Sequence, residues 1–185
     1  MRIVSGKFRG KKIRAPKHLP VRPTTDMAKE SLFNILNNKL YFEEVSVLDL
    51  FAGIGSITLE FISRGSTSVT AVEKHPECVA FLQKTIDELA LDSKEGVAVV
   101  RADVLSYLTK AYGKTDVIFA DPPYEYEHYD EIIRLVFDRE LLAEDGCLIV
   151  EHDERRSFDQ HPHFKERRKY GGVAFSFFAL DEVDD

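Results

Sequence analysis

The apolar run Val117-Ile118-Phe119-Ala120 ends on Asp121-Pro122-Pro123-Tyr124. A carboxylate and a neighbouring backbone carbonyl that accept the two hydrogens of a nucleobase amine favour a tetrahedral nitrogen, its lone pair aimed at an electrophile. Asp121 supplies the first acceptor and the Pro122 carbonyl the second. Pro122 and Pro123 fix φ and keep the residues before them out of the α region, so the turn is rigid. Tyr124 offers a face on which an unstacked base can lie. Such a site methylates an amino nitrogen, and it needs no metal when the methyl donor is already a charged sulfonium.

Upstream, three acids stand where strands are expected to end. In "VLDLFAGIGS", Asp49 precedes Gly53-x-Gly55, a loop whose glycines let backbone approach a ligand closely. Glu73 follows Gly53 by twenty residues, the spacing at which an acid accepts both hydroxyls of a ribose. Asp103 closes the next strand, placed to accept a hydrogen bond from an adenine amino group. A dinucleotide fingerprint wants a third glycine where Thr58 stands, and the loop carries no lysine for a triphosphate. S-adenosylmethionine has no phosphates and carries cationic groups, and it fits this set. The expected cofactor residues are Asp49, Phe51, Ala52, Gly53, Gly55, Glu73, Lys74, Asp103 and Val104.

The elements that must position these residues follow from periodicity. Met27, Ala28, Leu32, Ile35, Leu36 and Leu40 fall at helical spacing behind Thr25 or Asp26 as N-cap, predicting a helix over 26–39. From Val45 onward, "VSVLDLF", "SVTAVE", "VAVVRAD", "TDVIFAD" and "CLIVEH" read as strands alternating with helices. The helices are expected over Ile57 to Arg64, from Pro76 to about Leu91, and over Tyr129 to Glu140. This alternation predicts an α/β fold with a doubly wound, mostly parallel, Rossmann-like sheet. "FKERRKYGGVAFSFFAL" reads as an antiparallel C-terminal hairpin added at a sheet edge.

Charge divides the chain. Residues 1 to 24 hold eight Lys or Arg and no acid, so the rest of a chain of net charge -7 carries fifteen excess negative charges. "RIVSGKFRGKKIRAP" mixes β-branched, aromatic and basic residues around Gly6 and Gly10, which predicts a small basic β-hairpin facing a polyanion. The expected organisation is a basic arm over 1–24, with Arg9, Lys11 and Lys12 toward the polyanion, and a catalytic body over 25–185. At 185 residues the two together make one domain.

"RPTTDMAKESLFNIL", "LDLFAGIGSITLEFISRG" and "FADPPY" together resemble the RsmD-type bacterial enzymes, class I methyltransferases that modify guanine N2 in 16S ribosomal RNA. The resemblance runs nearly end to end and includes the basic "SGKFRGKKI". It implies S-adenosylmethionine as cofactor, 16S RNA in a partly or fully assembled small subunit as partner, and a cytoplasmic setting, with a monomer favoured. It also implies that Arg22, Pro23, Thr24 and Asp26 form the substrate-side element, and that Asp121, Pro122, Pro123 and Tyr124 form the catalytic turn. Met27 stands where the family pattern has an arginine, and Ile54 and Thr58 stand where it has small Ser and Gly.

Two other readings remain open. DNA adenine or cytosine amino-methyltransferases also use Pro-Pro-aromatic turns, although this chain has little room for a separate target-recognition domain. A binding factor for ribosome assembly that keeps the fold without transferring methyl groups is the other. Asn-Pro-Pro-Tyr, the pattern of protein glutamine methylation, is excluded by Asp121. His161-Pro162-His163 reads as a polar loop rather than a metal site, and Cys78 and Cys147 lack metal or disulfide spacing. No run approaches the length of a membrane span, and the first ten residues carry no apolar leader.

Overall fold

The computed structural model describes residues 1–21, 25–89 and 96–181. Its single sheet is built from β1 (Ser46–Leu50), β2 (Ser68–Glu73), β3 (Val97–Arg101), β4 (Thr115–Ala120), β5 (Leu142–Asp153), β6 (Phe164–Tyr170) and β7 (Val173–Ala179). Their order is β3-β2-β1-β4-β5-β7-β6. The first five strands run parallel, while β7 is antiparallel to β5 and to β6. The expected C-terminal hairpin is thus present, with β7 joined to the parallel sheet and β6 at its edge.

The central strand β4 shows how two layers of helix come to cover the sheet. Val117, Ile118, Phe119 and Ala120 are all buried, because both faces of this strand meet helices. Val117 and Phe119 pack with Leu32, Phe33 and Leu36 of α1 (Asp26–Asn37) and with Ile57 and Phe61 of α2 (Ser56–Ser63). Ile118 and Ala120 pack on the other face with Val104 and Leu108 of α4 (Val104–Leu108) and with Ile132, Ile133 and Val136 of α5 (Tyr129–Asp138). Alternation with period two sends neighbouring residues to opposite cores. The remaining helix, α3 (Pro76–Leu89), lies on the α2 side, where Leu82 and Ile86 meet Leu59 and Ala71.

Local chemistry sets the helix ends. Thr25 caps α1, its hydroxyl accepting from the Ala28 N–H at 3.2 Å, and the helix stops at Asn37, two residues before the periodicity suggested. Helix α4 is an addition to the expected elements. Five residues are too few to show a hydrophobic period, and its one sequence signal is Asp103 as N-cap, accepting from Ser106 N–H at 3.1 Å. Strand β5 also starts five residues earlier than "CLIVEH", through a stretch of mixed polarity.

The basic N-terminal segment is docked. It closes with one bridge pair, Arg2 with Lys12, and with Ile3 N–H to Lys11 O at 3.0 Å and Ile13 N–H to Met1 O at 2.9 Å. Ile3 and Ile13 are buried beside Leu59, Leu82 and Ile86. The fully buried Glu60 carboxylate of α2 accepts from Val4 and Ser5 N–H at 2.9 and 3.0 Å, and pairs with the buried Lys29 and with Arg64. Gly6 (φ 81°) passes so close to α2 that a Cβ there would lie 1.9 Å from the Ser63 carbonyl oxygen. Residues 1–13 therefore share the core of the body.

Candidate active site

In the strand order, β1 has β2 on one side and β4 on the other, so the chain winds in opposite directions from this pair. The crevice outside the carboxyl ends of such strands is where doubly wound sheets bind ligands. Asp49, Glu73, Asp103 and Asp121 lie at or just past the ends of β1, β2, β3 and β4. The fold brings these four acids to one rim.

After β1 the backbone turns sharply. Phe51 adopts φ 62°, which costs a non-glycine residue about 1–3 kcal/mol and marks a position that the surroundings over-determine. The Ala52 N–H donates to Val72 O at 2.9 Å, pinning the turn to β2. The Gly53 N–H donates to Glu73 Oε2 at 2.8 Å, and the His75 N–H donates to Oε1 at 2.8 Å. Glu73 is thus oriented by two backbone donors. A carboxylate has about four acceptor positions, so capacity remains for ribose hydroxyls. Gly55 (φ 86°) opens α2 with no room to spare, because a Cβ there would fall 2.2 Å from Leu82 Cδ1.

Asp49 is buried beneath this loop. Its Oδ2 accepts from the Thr58 N–H at 3.0 Å and the Thr58 hydroxyl at 2.5 Å. Thr58, where the resemblance leads one to expect a glycine, therefore supplies a hydroxyl that holds the acid. Burial pushes the Asp49 carboxyl up to about 7; the Thr58 hydrogen bonds oppose this, and the charges of Asp121 and Glu73 add to it. Asp49 thus feels the charges of two of the other acids. Such a cluster is complementary to a cationic ligand, and S-adenosylmethionine carries both an ammonium and a sulfonium.

The expected adenine end combines an exposed acid with two rings. Asp103 spends Oδ1 on its cap to α4, and Val104 is buried behind it. Phe51 lies edge-on to Tyr126 with ring centroids 5.1 Å apart. The Tyr126 phenol is pushed up to about 12, by burial first and then by the charges of Asp103 and Glu131. Tyr126 was not among the expected site residues, although "PPYEYEHY" contains it two positions after Tyr124. Lys74 is exposed at the end of β2, and Ala52 is buried.

Beyond β4, Asp121 is half-buried, Pro122 buried, and Pro123 and Tyr124 exposed. The turn closes through the Pro123 carbonyl, which accepts from the Tyr126 N–H at 2.9 Å. The Tyr124 phenol oxygen accepts from Arg155 Nη2 at 2.7 Å. Arg155 in turn is forked onto Asp153, which the guanidinium holds well below the usual carboxylate range. Nothing local in the sequence signals this contact, which spans 31 residues.

Arg9, Lys11 and Lys12, the expected RNA-facing cations, are exposed on the docked hairpin. A hollow of about 280 Å³ lined by Arg2, Val4, Arg9, Gly10, Glu30 and Asn34 lies between the hairpin and α1. Asp26 pairs with Arg2 at 3.3 Å. Arg22, Pro23 and Thr24 lie outside the described residues. Met27 is exposed and sits against the β6–β7 turn, its methyl 2.8 Å from where a Gly171 Cβ would be. Ile54 is buried with Leu19 and Cys78, beside Val21, so its greater bulk holds the N-terminal segment on the glycine loop. Among the described residues, no group of three or more His, Cys, Asp or Glu could hold a metal ion, and no helix is long and apolar enough to cross a membrane.

Comparison with known proteins places this geometry among relatives. A family model described as conserved hypothetical protein 95 matches residues 1–179. The ribosomal RNA small subunit methyltransferase D of Escherichia coli K12 is 33% identical over 153 residues, 83% of this chain and 75% of that protein. The methyltransferase of the same name from Haemophilus influenzae is 31% identical over 153 residues, 82% of this chain and 78% of its own. Among solved structures, a hypothetical protein of Thermus thermophilus superposes with a TM-score of 0.82 at 28% identity, covering 97% of this chain and 99% of that one.

Proposed function

Because the chain belongs to the conserved hypothetical protein 95 family, and small-subunit ribosomal RNA methyltransferases match most of its length, we propose that it methylates the N2 amine of a guanine in 16S ribosomal RNA. The observation that carries this reading is Asp49 of β1 feeling the charges of Glu73 and Asp121 at the ends of β2 and β4, with Tyr124 three residues past Asp121. The substrate is RNA in a partly or fully assembled small subunit, and the setting is the cytoplasm.

S-adenosylmethionine, when bound, supplies the methyl group as an electrophilic carbon on sulfur. Glu73 would hold the ribose hydroxyls, Asp103 the adenine amine beside the Phe51–Tyr126 pair, and Asp49 the cationic end. The Gly53 and Gly55 backbone gives the close approach that this needs. The guanine rests against Tyr124, out of its stack, with its amine toward Asp121 and the Pro122 carbonyl. These acceptors orient the nitrogen lone pair, and the Asp121 carboxylate stands to receive the proton that the amine loses. The exposed cations of the hairpin, Arg9, Lys11 and Lys12, meet phosphates and fix register without reading sequence.

The test is to incubate the protein and tritiated S-adenosylmethionine with small-subunit particles from a strain lacking it, then to map the label. Label on N2 of one guanine of 16S RNA is the expected result. Label on another RNA, on DNA, or on no nucleic acid overturns the reading.

A further inference from the structure

The turn after β5 reaches the exposed ring of the Asp-Pro-Pro-Tyr turn that follows the neighbouring strand β4. Arg155 is gripped by Asp153 at three points. Its backbone N–H reaches Oδ1 at 2.9 Å, its Nε reaches Oδ1 at 2.7 Å, and its Nη2 reaches Oδ2 at 3.0 Å. The turn is itself anchored, by Arg156 N–H to Asp153 O at 3.0 Å and Glu154 N–H to Gly172 O at 3.2 Å. The Arg156 guanidinium lies 4.4 Å from the centroid of the buried Tyr129 ring. A planar fork held this way presents its outer edge in a fixed direction. That edge donates from Nη2 to the Tyr124 phenol oxygen at 2.7 Å.

The ring that is held is 64% exposed. An exposed tyrosine without such a bond samples several χ1 wells, and a base stacking on it must first order it. We propose that Arg155 is a positioning residue: braced by Asp153, it sets the Tyr124 ring in advance as the face on which the target base stacks. It acts through the phenol oxygen and not by touching the base. The alternative role for a surface arginine, contact with an RNA phosphate, is disfavoured by the engagement of its fork with Asp153 and Tyr124. The assignment rests on the reading that Asp121 to Tyr124 receive the base.

The test is a double-mutant cycle on small-subunit particles lacking the modification, using Arg155→Ala, Tyr124→Phe and the double variant. Tyr124→Phe keeps the ring and removes both the acceptor for Arg155 and the phenol's own hydrogen bond to Asp153. Each single change is expected to lower kcat roughly ten- to hundredfold, the scale of a misplacement of about 1 Å. The KM for S-adenosylmethionine and the melting temperature stay unchanged, and the double variant is no worse than the poorer single. Arg155→Lys, which can donate but not fork, recovers part of the loss. Losses that multiply in the double variant, or an Arg155→Ala protein that raises KM for the particle at intact kcat, overturn the assignment in favour of direct RNA contact. Full activity of Arg155→Ala also overturns it. A wild-type protein inactive on these particles brings down the underlying reading, and this assignment with it.

Discussion

Thr58 holds Asp49 with two donors, its backbone N–H and its hydroxyl, both on the same carboxylate oxygen. These bonds lower the cost of a buried charge without removing it, since the Asp49 carboxyl still sits at about 7 against an ordinary 3.8. This buried acid beneath the glycine loop is therefore poised to change charge near neutral pH.

The first consequence is for stability. Between the ordinary carboxylate range and about pH 7, folded Asp49 keeps a proton that the unfolded chain has lost, so folding is progressively weakened as pH rises through this window. At about 1.4 kcal/mol per pKa unit, the ionised acid costs on the order of a few kcal/mol above pH 7. Asp49→Asn, which still accepts from Thr58, is expected to raise the melting temperature at pH 8 and leave it little changed at pH 4. Thermal unfolding at the two pH values checks both the sign and the window.

A second consequence concerns ligand binding. A cation beside Asp49 favours the carboxylate, so association below about pH 7 expels a proton. The dissociation constant for S-adenosylmethionine is expected to fall by up to about tenfold per pH unit toward pH 7 and then level off. Calorimetric titration across pH 5.5–8.5 measures this. In Asp49→Asn the slope attributable to this group disappears, and a slope that survives the substitution refutes the assignment.

Asp121 is expected to separate catalysis from binding. Asp121→Ala should lower methyl transfer by about 100-fold or more, the range found when a positioned acceptor of this kind is lost. The S-adenosylmethionine dissociation constant should stay within about twofold. Single-turnover transfer and equilibrium binding on the same preparation distinguish the two effects, and an active Asp121→Ala protein refutes the proposed chemistry.

The docking of the basic segment predicts a purely structural sensitivity. Gly6→Ala asks a residue with a Cβ to adopt φ 81° and to overlap the Ser63 carbonyl. It should cost about 2 kcal/mol or more, on the scale of backbone strain at a special φ. Gly10→Ala has the same sign of φ (82°) and nothing within 4 Å, so it should cost less. Denaturant unfolding of the two variants gives the difference directly.

Much of this architecture was legible from spacing. The runs that became β1 to β5, the first-turn Pro76 and the Gly171-Gly172 turn carry their own signals, since apolar alternation and turn residues act locally. The four strand-end acids were legible for the same reason, because an α/β alternation dictates which ends share a rim. What was not legible is tertiary. Asp49 reads as a ligand acid, yet its partner is Thr58 nine residues on. Ile54 reads as a departure from the family pattern until Leu19 is found against it. Arg155 has no local pattern, since its meaning depends on β5 and β4 lying side by side.

The cluster of Leu19, Val21 and Ile54 also ties two ligands together. Val21 lies at van der Waals distance from a Cβ built on Gly53, at 3.4 Å, while the Gly53 N–H is bonded to Glu73. The glycine loop meant to meet the cofactor and the N-terminal segment thus meet at Ile54, the residue after Gly53. Thermodynamic linkage then requires that whatever factor cofactor adds to the affinity for RNA, RNA adds to the retention of cofactor.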